Sequence, residues 1–77
     1  MPLPELNLDT AETKLRQSIE QNPFLIDGYI ALTYLLLKRK KIGDVRAVIE
    51  KGLAVDRVTK SDEMVAKEMQ KILSRLG

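Results

Sequence analysis

Any chemistry in this chain of 77 residues must come from the side chains present, and two of the most useful are missing: there is no histidine and no cysteine. Without histidine the chain lacks the group that titrates near neutral pH and most often binds zinc. Without cysteine it can form no disulfide and no thiolate metal site. Ser18, Ser61 and Ser74 have no base at a telling spacing, and no glycine-rich phosphate loop occurs. The adjacent acids Asp62 and Glu63 come nearest to a catalytic pair. Acids placed just before an amphipathic segment, however, suit the first turn of a helix. No catalytic residue, no metal ligand and no cofactor site is expected, and the chain reads as a non-enzyme.

The other chemically suggestive feature is the basic run Lys38-Arg39-Lys40-Lys41. Clustered cations can neutralise phosphates. Yet neither tyrosine adjoins the run to stack on a base. The stretch Ile42-Gly43-Asp44-Val45-Arg46, which loosely resembles a turn into a recognition helix, offers poor base-reading residues at its start. Cations at a helix C-terminus complement the helix dipole, which is the simpler explanation. Charge is also divided along the chain. Residues 1–37 hold five acids and two bases, net −3, and residues 38–77 hold eleven bases and six acids, net +5. That polarity could orient an acidic partner or support head-to-tail association, or it is scattered solvated surface.

The elements that carry these residues read as four helices. Hydrophobic residues make up 44% of the chain with one Phe, two Tyr and no Trp, so the core must be aliphatic, a palette suited to helix packing. Pro2 and Pro4 keep the first residues extended. Asp9 then reads as an N-cap with Glu12 in capping-box position. Ala11, Leu15 and Ile19 form a stripe at a spacing of four. Glu12–Arg16 and Arg16–Glu20 are opposite-charge pairs on the wet face. Asn22-Pro23 stops this first helix near residue 21. A second helix is expected over 25–40, apolar around nearly its whole circumference, which requires cover on more than one side. Gly43 is the expected left-handed residue that ends it. Asp44 is the expected cap of a third helix with Val45, Val48, Ile49 and Leu53 inward and Arg46–Glu50 outward, fraying near Asp56. Thr59 or Ser61 caps a fourth helix with Met64, Val65, Met69, Ile72, Leu73 and Leu76 along one face.

A shift of 34 residues lays the first helix on the third: Ala11 on Val45, Leu15 on Ile49, Ser18 on Gly52 and Ile19 on Leu53. Self-similarity at a fixed period of about 20–50 residues is the mark of a repeat architecture. Tyr29, Leu32-Thr33, Leu36, Val45, Ile49, Gly52 and Arg57 fall at the signature spacings of the tetratricopeptide repeat, which the chain resembles over about four-fifths of its length. Thr33 stands where the family has Gly, Leu36 where it has an aromatic, Val45 where it has Ala and Arg57 where it has Pro. Pro23 occupies the proline position of a preceding half-repeat. The resemblance implies an all-α fold of antiparallel helical hairpins, with one domain over 1–77: a half-repeat at 9–23, a full repeat at 24–57 and a capping helix at 58–77. A generic four-helix arrangement is the other architecture these residues allow. Gly52 and Ser18 would let helix backbones approach closely.

The resemblance further implies that the second helix lines a partner-binding face, here Asp27, Ile30, Tyr34, Leu37 and Lys38, with Lys41 beyond its end. Ile30 and Tyr34 replace the Lys and Asn with which some members clamp a peptide carboxylate, so no such clamp is expected. The expected role is a protein-interaction module, adaptor or chaperone-like, similar to the small helical chaperones that shield an aggregation-prone partner. It would take an amphipathic helix or apolar peptide in the groove, with Tyr34 as anchor. The fourth helix or a second copy of the chain could instead cover the strip. The alternatives are a structural subunit of a homo-oligomer and a small basic nucleic-acid-binding domain, with nucleic acid disfavoured. Residues 1–8 lack the basic start and apolar core of a secretory signal, and the longest near-apolar run, 29–37, is far short of the ~20 residues that span a bilayer. A soluble, cytoplasmic protein is expected.

Overall fold

The computed structural model describes residues 8–76, and these are helical apart from short links, with no strand. Helix α1 spans Leu8–Gln21, α2 Ile26–Lys38, α3 Ile42–Leu53 and α4 Lys60–Leu76. Short links force consecutive helices to lie antiparallel. Helices α2 and α4 therefore run the same way. Helix α2 packs on the other three, α3 packs on α4, and α1 packs on α2 alone among the described helices. The smallest dimension of the molecule, 18 Å, equals two helix layers.

The hydrophobic stripes explain this packing. Helix α2 buries Ile26, Tyr29, Leu32, Thr33 and Leu36. Against them come Val45, Val48, Ile49 and Gly52 of α3 and Ala66, Met69 and Ile72 of α4. Each large apolar side chain so buried contributes roughly 1.5–3 kcal/mol. Thr33 is the one fully enclosed polar side chain among the described residues; its hydroxyl donates to the Tyr29 carbonyl oxygen at 2.8 Å. Helix α1 buries no residue completely. Ala11, Leu15 and Ile19 are half-buried, and every exposed residue of α1 is polar.

Close approach is set by glycine. A Cβ on Gly52 would lie 2.8 Å from Tyr29 Cβ and 3.0 Å from Met69 Sδ, so this position lets α2 and α4 both press on α3. Helix α1 closes on α2 at Gly28, where a Cβ would lie 3.1 Å from Ile19 Cγ1, rather than at Ser18, which is exposed.

Helix ends differ from the sequence reading in four places, the simplest being α3, which ends at Leu53 instead of near Asp56. Helix α2 stops at Lys38, and the left-handed residue is Lys40 (φ 61°), not Gly43. The Lys40 N–H donates to the Leu37 oxygen and the Lys41 N–H to the Leu36 oxygen, both at 3.0 Å. This double bond pattern is a Schellman ending, usually made by glycine. The chain therefore turns early enough for α3 to start at Ile42. Asp44 then lies in the first turn of α3, and Lys41 occupies the N-cap without a side-chain bond. Helix α1 likewise starts at Leu8, which puts Asp9 inside its first turn instead of at the cap. The start of α4 follows the capping logic: the Asp62 N–H donates to Thr59 Oγ1 at 3.1 Å, and the Thr59 N–H donates back to Asp62 Oδ2 at 3.3 Å. Of the expected i,i+4 ion pairs, Glu12–Arg16 closes at 3.0 Å. Arg16 also leans toward Asp44 at 3.9 Å, leaving Glu20 aside, and Arg46–Glu50 stays open.

Candidate partner-binding face

The face expected to bind a partner starts from the wet side of α2. With Ile26, Tyr29, Leu32, Thr33 and Leu36 turned inward, one of the two remaining edges carries Asp27, Ile30, Tyr34, Leu37 and Lys38, and the other Gly28, Ala31 and Leu35. Asp27 and Lys38 are exposed at opposite ends of the helix. Ile30 and Leu37 are half-buried and pack against the core. Tyr34 stands between them, 50% exposed. Five of the six residues assigned from sequence thus share one edge of one helix.

Lys41 does not join them. Its ammonium lies 3.1 Å from Glu12 Oε1 on α1. Arg39 also turns to α1, pairing with Glu12 at 2.8 Å and with Asp9. The basic run that looked like a loose cationic patch is therefore split. Two of its cations fasten α1 to the end of α2, and Lys38 and Lys40 remain exposed. Burial disfavours the charge on Glu12, but hydrogen bonds from Arg16 and Lys41 and their positive charge outweigh it, so its carboxyl sits below the ordinary range.

The other wall of the face comes from α4. The Tyr34 hydroxyl donates to Glu68 Oε1 at 3.1 Å, joining residues 34 positions apart. That hydrogen bond to a carboxylate raises the tyrosine pKa, with desolvation and the carboxylate charge acting in the same direction. One turn before Glu68, Met64 is 71% exposed on the same side of α4. It lies 34 positions after Ile30. The edge of α2 and the flank of α4 thus border a strip with Ile30, Tyr34, Leu37 and Met64 as its apolar members. Comparison with family models, with curated proteins and with solved structures returns no match.

Met64 and Glu68 were not among the sequence-derived site residues. Met64 is expected on the inward apolar face of the fourth helix and instead points outward, away from the buried Met69, while Glu68 fits no repeat signature. Position reveals them: adding 34 to Ile30 and to Tyr34 gives Met64 and Glu68. The described residues contain no group of three or more acidic side chains that could hold a metal ion, and no helix long and apolar enough to cross a membrane.

Four further large apolar side chains are exposed elsewhere: Leu25 and Ile42 at the starts of α2 and α3, and one in each of two links. Phe24 in the α1–α2 link is 83% exposed, and Val58 in the α3–α4 link is 85% exposed. Both links lie at the same end of the molecule. There Pro23, Phe24, Tyr29, Ala54 and Val55 border an open recess of about 330 Å³, and the Tyr29 hydroxyl donates to the Pro23 carbonyl at 2.8 Å.

Proposed function

We propose that this protein is a tetratricopeptide-like interaction module, adaptor or chaperone-like, that receives a helical or apolar segment of a partner protein along the edge of α2. The observation that carries this reading is the half-exposed Tyr34, tied across to Glu68 at an offset equal to the repeat period. The packing scheme agrees with it, since α2 and α4 lie side by side with α3 behind them. Aromatic anchors flanked by aliphatic side chains are what partner helices bury. Asp27 and Lys38 at the two ends would give such a segment a preferred direction.

The test is capture by the tagged chain, repeated with Tyr34→Glu. The exposed position allows the charge without loss of helicity, which circular dichroism checks. Partners retained by wild type and lost with Tyr34→Glu should, once purified, shift the amide resonances of Ile30, Tyr34, Leu37 and Met64. Shifts confined to α1, or capture unaffected by Tyr34→Glu, would refute the assignment. A second reading, a structural subunit of a homo-oligomer, draws on Phe24 and Val58 at the loop end. Light scattering of wild type and a Phe24→Ser/Val58→Ser variant separates the two, because only the second reading ties assembly to those residues.

A further inference from the structure

The solvent side of α4 continues outward from the Met64 and Glu68 flank of the strip, and its chemistry differs from that of the α2 edge. Its buried stripe is Ala66, Met69 and Ile72. The opposite side carries Lys60, Lys67, Lys71 and Arg75, all exposed. None of the four makes an ion pair, because the ion pairs of the described residues are made by Arg16, Arg39 and Lys41. The acids of α4 are largely committed elsewhere: Asp62 to the helix cap and Glu68 to Tyr34. Glu63, four residues before Lys67, and Glu68, three before Lys71, flank the basic face. Lys67, Gln70, Lys71, Ser74 and Arg75 line a shallow recess of about 540 Å³, with no carboxylate among its described lining residues.

We propose that this face binds the phosphate backbone of duplex nucleic acid. Lys67, Lys71 and Arg75 recur at every fourth position, so they span about 12 Å along the helix axis. A duplex presents one charge per about 1.7 Å of its axis, so each cation meets a different phosphate. Gln70 and Ser74 add neutral donors between the cations, and side chains of these types make many of the contacts to phosphate and sugar. A protein core contact is disfavoured within the recess, because its lining has no aromatic or aliphatic centre, Met64 lies one turn before it, and interface cores are poor in lysine. A single strand is disfavoured because no aromatic ring lines the recess for base stacking. Contacts of this kind carry no base readout, so binding is independent of sequence. The run Lys38–Lys41 takes no part, since Arg39 and Lys41 are engaged by Asp9 and Glu12.

The experiment is fluorescence anisotropy of a short labelled DNA duplex titrated with the full chain over a series of salt concentrations. The expected slope of log K against log salt is about −2.7, for three phosphates neutralised. Lys71→Gln should make it shallower by about 0.9. Lys67→Gln/Lys71→Gln/Arg75→Gln should abolish binding while helicity persists. Lys14→Gln/Arg46→Gln removes positive charge from exposed sites on α1 and α3 and should leave the slope unchanged. No binding at low salt, an equal loss in the Lys14/Arg46 variant, or stronger competition by polyglutamate than by unlabelled duplex would overturn the proposal.

Discussion

Gly52 fixes how closely α2 and α4 approach α3, so replacing it tests the packing on which the candidate face rests. Gly52→Ala places a Cβ 2.8 Å from Tyr29 Cβ and 3.0 Å from Met69 Cε and Sδ. The Met69 end can swing aside. Tyr29 Cβ is one bond from the α2 backbone and cannot, so α2 and α3 must separate. Gly52 has no positive φ, and alanine therefore brings the ordinary helix-propensity gain of about 0.8–1 kcal/mol. Overpacking costs about 1–3 kcal/mol, and contact against an atom next to the backbone belongs at the upper end. The net expectation is a loss of about 1–2 kcal/mol, at about 4–8 °C of Tm per kcal/mol for a domain of this size. Two other glycines serve as internal controls. Gly43→Ala meets nothing within 4 Å and should stabilise by about 0.5–1 kcal/mol. Gly28→Ala meets the half-buried Ile19 side chain at 3.1 Å and should lie near zero, within about 0.5 kcal/mol. Thermal and urea unfolding followed by circular dichroism ranks the three. A Gly52→Ala protein as stable as wild type would refute the close α2–α3 contact, and with it the spacing that brings Tyr34 to Glu68.

Other expectations follow from individual contacts. Lys40→Gly should stabilise by about 1 kcal/mol in the same assay, because a left-handed residue with a Cβ is strained where glycine is not. Thr59→Ala should destabilise by about 1 kcal/mol through loss of the reciprocal cap with Asp62. Glu12 has a folded-state pKa below its unfolded value of about 4.3, so its contribution is present above that pH and is lost as pH falls through the lower folded value. Glu12→Gln should flatten that part of the acid-unfolding profile, and an unchanged profile would show that the Arg16 and Lys41 contacts do not act on it. Tyr34 should ionise above the ordinary tyrosine range in an ultraviolet titration and return toward it with Glu68→Gln.

Local pattern was enough to read the four helices. The spacing of Ala11, Leu15 and Ile19, the stop at Asn22-Pro23, and the polar link before Glu63 each mark an element without reference to distant residues. The inward residues of α3 were legible for the same reason, and so were those of α4 apart from Met64, which was expected inward and is exposed, and Ala66, which is buried and was not named. Helix ends were less so. Gly43 carries the stronger local signal for a left-handed turn, but docking α3 against α2 requires the turn three residues earlier, where only Lys40 is available. The roles of Arg39 and Lys41 could not be read from the run Lys38–Lys41, because the acids that claim them lie about thirty positions away and meet them only in the folded chain. Met64 and Glu68 were obscured by residue type while their positions were implied by the 34-residue offset. For the candidate face, the α2 side was therefore legible and the α4 side was not.

The manner in which α1 is held has a consequence of its own. It buries no side chain completely, and its end is fastened to the rest by Asp9, Glu12 and Arg16 meeting Arg39, Lys41 and Asp44. Mobile ions weaken such half-wet charge contacts, while the aliphatic seams between α2, α3 and α4 are indifferent to them. Ionic strength therefore works as a dial on one helix. As it rises, the first helix loosens ahead of the other three, and the trio stays whole.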